Sequence, residues 1–196
     1  ADGACGGAAE RGRRHRRGGW RLGASGRGRP AAVGGAAAPH RGEARRLRVA
    51  ATRAAVADFV AEGGGLVANH TAPICFDDWD EWGQIVGCRW QWGISSHPPV
   101  GPCRARLVAG HPITDSAPAL IEVDDEVYGD LATSPDIGVL GVARRTADDD
   151  DQPVLFTHQY HQGSVVFTGF GHHRATIEHD DYGPLLLRSV DWASRR

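Results

Sequence analysis

The sequence predicts an alternating α/β domain, and three observations carry that expectation. Short runs rich in β-branched and aromatic residues recur between turn signals, as strands do. Segments with apolar residues at helical spacing are interleaved with them. The 196 residues, 41% hydrophobic and 23% charged, suit one soluble domain with a sizeable core.

Taken in order, residues 49–62 read as a helix. They are rich in Ala, Val56, Phe59 and Val60 are expected to share one face, and Gly63 supplies the stop. Residues 65–69 form a short buried strand. Residues 77–86 form a helix with Trp79, Trp82, Ile85 and Val86 inward, closed by Gly87. Strands follow at 103–108 and 137–142, and the acidic run 148–151 is a solvated loop. Residues 153–160 and 164–170 are two strands joined by the tight turn His161-Gln162-Gly163. A closing helix over 182–194 presents Leu185, Leu186, Val190 and Trp192 as its apolar positions.

Composition divides the chain unevenly. Residues 1–53 hold 13 Arg against 3 acids, a net of +10; the remainder holds 9 Arg against 21 acids, a net of −12, and the two sum to the overall −2. A membrane protein, a fibrous repeat and a uniformly basic nucleic-acid binder are thereby excluded. Residues 1–46 are mostly Arg, Gly and Ala, with too little apolar surface to offset chain entropy. They are expected to be disordered, ahead of a folded domain over 47–196. One reading makes them a basic tail for nucleic acid or an acidic surface; the favoured one is a GC-rich gene read in a shifted frame. Cys5, Cys75, Cys88 and Cys103 show no C-x-x-C spacing and read as reduced thiols. With no apolar leader and no membrane-length run, a cytoplasmic location is expected.

Four places offer chemistry. His70 ends the strand that follows Gly63-Gly64-Gly65, where open α/β sheets bind ligands. The loop Arg89 to Pro99 holds Trp90 and Trp92, suited to stacking on a sugar ring, and His97, held extended by Pro98. In Asp124-Asp125-Glu126-Val127-Tyr128, strand alternation would put Asp124, Glu126 and Tyr128 on one face, leaving Glu126 as a base or metal ligand. Gly169-Phe170-Gly171-His172 ends a second buried strand, so His172 is expected beside His70. His111 is assigned to a turn, His161 and His179 to the surface, and His173 to the surface or to support of His172. Imidazoles and a carboxylate converging at strand ends suit a divalent metal such as zinc better than a Ser or Cys triad. The metal set is then His70, Glu126 and His172.

Together these segments resemble the ThuA-like (trehalose-utilisation) family. The matching pieces, in order, are Gly64-Gly65-Leu66 leading to His70, Phe76-Asp77-Asp78-Trp79, Ser96-His97-Pro98-Pro99 and His111-Pro112-Ile113-Thr114. Asp125-Glu126-Val127-Tyr128-Gly129, the run Pro153 to His158, and Gly171-His172 before the final helix complete the series. The resemblance implies a flavodoxin-like, class I glutamine-amidotransferase-like fold, a mostly parallel sheet flanked by helices. It also implies that His70 replaces the amidotransferase Cys, so glutaminase activity is not expected. A first βαβ segment would precede Gly63, and residues 1–52 supply no strand for it; a missing or scrambled segment would leave an exposed sheet edge.

The function expected is an enzyme of sugar catabolism acting on a disaccharide or keto-sugar, a hydrolase or isomerase using acid/base or metal-assisted chemistry. His70, Glu126 and His172 are its catalytic residues; Trp90, His97, Tyr128 and His158 contact substrate. The rival is a non-catalytic carbohydrate-binding or regulatory module using the same cleft. The partner expected is a small-molecule sugar, with no membrane and no nucleic acid, and homo-oligomerisation is left open.

Overall fold

In the computed structural model the described residues are 41–195. Cys5 and most of the segment expected to be disordered fall outside them. The first helix, α1 (Arg41–Ala61), starts inside that segment, eight residues before the predicted start. Its inward positions are Ala57 and Val60, three residues apart, whereas Phe59 is exposed. The Phe59 ring lies over the next turn instead, where a Cβ on Gly64 would overlap it and the Phe59 carbonyl.

The chain then runs through β1 (Leu66–Asn69), α2 (Asp80–Val86), β2 (Cys88–Arg89), β3 (Gly101–Leu107), β4 (Leu120–Asp125) and β5 (Ala132–Thr133). It finishes with β6 (Gly138–Ala143), β7 (Gln152–Tyr160), β8 (Gly163–Thr168), α3 (Arg174–Ile177) and α4 (Tyr182–Ala193). The predicted elements are present with ends shifted by up to three residues, α1 apart. Of β4 only the end was predicted, as strand alternation over 124–128; the small β2–β5 pair and α3 were not predicted. Gly87 closes α2 in the left-handed conformation, φ 81°. In α4 the buried residues are Tyr182, Leu185, Ser189 and Ala193, and the predicted apolar position Val190 is exposed. Small residues face inward there because the start of β1 passes close: a Cβ on Gly65 would overlap the Ala193 carbonyl.

The main sheet has the order β1-β8-β7-β6-β3-β4. Only β1 and β8 run parallel; the other four pairings are antiparallel. The sheet is therefore mixed, which corrects the expectation of a mostly parallel one. The cause is connectivity: β7 and β8 are joined by the two-residue turn His161-Gln162, and tight turns reverse direction. Helices cover both faces of the parallel pair. Val165 packs with Ala57, Val60 and Ile85 on the α1–α2 side, while Val166 joins Leu185 and Ala193 of α4. Among the described residues no helix is long and apolar enough to cross a membrane.

The sheet curls. Strands β1 and β4 are five intervals apart, about 24 Å in a flat sheet at roughly 4.8 Å per strand. Yet the residues that follow them touch, with Tyr128 Oη 3.2 Å from His70 Nε2. The curl closes over a core that includes Ile121, Val123, Leu140, Leu155 and Val166. Register shifts around Gly141 in the β6–β7 pairing supply the local bending that β-bulges give.

Candidate active site

The curl gathers three chain segments at one place. His70 follows β1, Glu126 and Tyr128 follow β4, and His172 follows β8. His70 stands at φ 47°, a left-handed conformation that turns its ring back over the sheet end. Its Nδ1 lies 2.9 Å from the carbonyl oxygen of Gly169. A carbonyl only accepts, so Nδ1 carries the proton and donates. In the neutral ring Nε2 then holds the lone pair.

That lone pair faces the other members. Nε2 is 3.3 Å from His172 Nδ1 and 3.6 Å from Glu126 Oε2. His172 Nδ1 is 3.2 Å from the same Glu126 oxygen. His70 and Glu126 are buried, and the His172 side chain is 38% exposed, so the cluster opens to solvent through His172. His97 Nδ1 lies 3.3 Å from the second Glu126 oxygen and 2.9 Å from the Pro98 carbonyl.

An aromatic group borders the cluster. The Tyr128 ring lies 4.9 Å from His70, 5.3 Å from His97 and 5.4 Å from Trp90, centroid to centroid. Tyr128 is buried, and its phenol is pushed well above the ordinary tyrosine range, first by burial and then by Glu126 and Asp125. It stays a hydrogen-bond donor, aimed at His70 Nε2. The Trp90 indole nitrogen is buried with no hydrogen-bond partner. An open groove of about 400 Å³, lined partly by Ser96, His97, Pro98 and Arg145, runs beside His97. Arg145 fixes this rim by donating to Ser96 Oγ at 2.7 Å, Asp130 at 2.7 Å and Asp149 at 2.6 Å. The acidic run is thus tied down by arginines rather than only solvated.

Of the predicted residues, His70, Glu126, His172, Tyr128, His97 and Trp90 meet here. His158 does not. It pairs with Val165, level with the start of β1, and its Nε2 bonds the Gln84 carbonyl at 2.9 Å. Strand register separates it from the His70 end, which corrects its assignment as a substrate contact. Trp92 is exposed, and His111 caps its own turn by accepting from the Ile113 amide. The predicted face of Asp124, Glu126 and Tyr128 is also corrected: β4 alternates with Ile121, Val123 and Asp125 buried, and the strand ends before Glu126. Asp125, fully buried, was missed. The spacing Ile121-x-Val123-x-Asp125 is the signal that would have found it.

The three ligand-type atoms fit a small divalent cation. Tetrahedral zinc with bonds near 2.0–2.1 Å has ligand atoms about 3.3 Å apart. The three separations of 3.2, 3.3 and 3.6 Å match that edge length. One ligand atom from each of the three residues lies within 4.8 Å of the other two. Two imidazoles and a carboxylate are a common zinc donor set, and the Gly169 carbonyl orients His70 as an outer partner orients a metal-bound histidine.

A family model described as trehalose utilisation, ThuA, matches residues 42–193. Among solved structures, a ThuA-like protein of Parabacteroides merdae ATCC 43184 aligns with TM-score 0.61 at 23% identity, over 73% of this chain and 64% of that one. A ThuA-like protein of Bacteroides uniformis ATCC 8492 gives TM-score 0.58 at 19% identity, covering 72% and 62%. A cytoplasmic protein of Salmonella typhimurium LT2 gives 0.54 at 17% identity, covering 78% and 61%. The chain spans less than two thirds of the length of each. At these identities the likeness is one of fold. No curated protein matches.

Proposed function

The chain belongs to the ThuA (trehalose-utilisation) family, and from that premise we propose that it is an enzyme acting on a disaccharide or keto-sugar, with His70, Glu126 and His172 holding a divalent cation. The observation that carries this reading is the set of 3.2–3.6 Å separations among the three donor atoms. A cation held there would supply Lewis-acid polarisation of a sugar carbonyl or hydroxyl.

The chain's own groups do the rest. Tyr128 Oη, kept protonated by its surroundings, donates to His70 Nε2 while that lone pair is free, and with a cation on Nε2 its O–H is left free to donate elsewhere in the site. Glu126 turns one oxygen to the imidazoles and the other to His97, so a proton can be held at Oε1 while Oε2 stays with the histidines. Trp90 and His97, the accessible members of the aromatic group, offer faces for the apolar side of a sugar ring, with the buried Tyr128 ring backing them. The groove beside His97 gives the second sugar unit room. With His70 at the strand end in place of a thiol, glutaminase chemistry is not part of the proposal. A cytoplasmic location and a small sugar as the partner belong to the same reading.

Two measurements on the purified full chain test it: bound metal, and turnover of a 3-keto-disaccharide beside the unmodified disaccharide. The reading expects a bound divalent cation and consumption of one of these sugars. A cation-loaded protein that binds the sugar and consumes neither would overturn the catalytic reading in favour of a carbohydrate-binding module.

A further inference from the structure

Asp125 makes no contact suited to a substrate, yet it is the most buried charge beside the cluster, at 0% exposure. Its carboxylate is spent on backbone. Oδ1 accepts from the Glu126 amide at 2.8 Å; Oδ2 accepts from the Gly171 amide at 2.9 Å and the His172 amide at 3.1 Å. The same carboxylate lies 3.9 Å from His70 Nδ1. One side chain therefore touches all three segments that supply the cluster.

We infer that Asp125 is the positioning residue of this site, its single carboxylate tying the Glu126 turn to the Gly171-His172 turn beside His70. The inference rests on the cation reading above and extends it to a residue outside the cluster. Charged acceptors of backbone N–H groups are strong and directional. Without this one, the Gly171 and His172 amides would lose their acceptor, and His172, following Gly171 at φ 129°, would be placed by its side-chain contacts alone. Asparagine cannot replace it. Both oxygens accept, so either orientation of an amide sets its NH₂ against a backbone N–H. The neighbouring Asp124 is exposed on the other face of β4 and serves as the control for removing a charge from this strand end.

The test uses the full chain with zinc alone as the probe. Asp125→Asn should weaken zinc about 10–100-fold, the range for residues that orient metal ligands, while Asp124→Asn stays within about twofold of wild type. The visible spectrum of the cobalt(II)-loaded protein should also change in Asp125→Asn. Independently of any variant, the Gly171 and His172 amides of the metal-free wild type should exchange at least about tenfold slower than open-loop amides. That measurement decides the matter if Asp125→Asn does not fold. Wild-type zinc affinity in a folded Asp125→Asn, or open-loop exchange at Gly171 and His172, would overturn the inference. A wild type that retains no zinc but protects both amides upholds the anchor and counts against the cation reading alone.

Discussion

His70 Nε2 lies 3.3 Å from His172 Nδ1, although 102 positions separate the two residues in the chain. The contact follows from one pairing. β1 and β8 are parallel neighbours in register from Leu66–Val165 to Asn69–Thr168, so the residues that follow them emerge at the same sheet end. What meets them there, from β4, depends on the curl of the sheet.

Replacing His70 by Ala should abolish zinc retention. It should also lower stability by about 1–3 kcal/mol, because a buried ring is lost and the Gly169 carbonyl is left without its donor. Metal analysis after dialysis and a urea melt, read on the same sample, check both. Undiminished zinc in the variant would place the cation elsewhere.

Gly65→Ala tests the packing of α4 on β1. The added Cβ would overlap the Ala193 carbonyl, which is backbone and cannot swing aside. A loss of about 2 kcal/mol is expected, or roughly 4–8 °C in Tm for a domain of this size. An unchanged melt would mean that the helix does not sit there.

All three tyrosines of the chain should resist ionisation. Burial raises Tyr128 and Tyr182, and donation to Glu81 pushes Tyr160 up to about 12. Unfolded tyrosine ionises near pH 10, so the unfolded chain loses these protons first and stability falls as the pH rises above about 10. Phenolate absorbance should stay low through that range and then rise cooperatively with base unfolding. A smooth titration centred near pH 10 in the folded protein would contradict it.

Acid should loosen the His97 rim. Arg145 holds Asp149 down at about 2, and Arg144 and Arg106 hold Asp151 below its usual range. The attachment is complete above the unfolded carboxyl value near 3.9 and is lost as the pH falls from about 4 toward 2. Fluorescence of Trp90 and Trp92, on the adjoining loop, should follow that loss. In Arg145→Ala the same change should already be present at neutral pH.

How much of this could be read from the chain depended on distance along it. His70 and His172 were legible because each is the first ionisable residue after a short buried strand, a local pattern. Glu126 was legible as chemistry, but the end of β4 was not, so alternation carried past Asp125 assigned the wrong face and hid the buried acid. His158 failed for a different reason. Its strand was correctly predicted, yet its level on the sheet is set by pairing with Val165, and pairing register is not written locally. The curl has the same origin: it brings the end of β4 to the ends of β1 and β8, which no single segment encodes, whereas the antiparallel β7–β8 pair was legible in the turn His161-Gln162-Gly163.

The most direct measurement is anomalous diffraction at the zinc edge from crystals of the full chain grown with zinc. One strong peak is expected, bonded at about 2.0–2.2 Å to His70 Nε2, His172 Nδ1 and a Glu126 carboxylate oxygen. No peak among these three atoms, in crystals that hold zinc elsewhere or not at all, would contradict the cation reading.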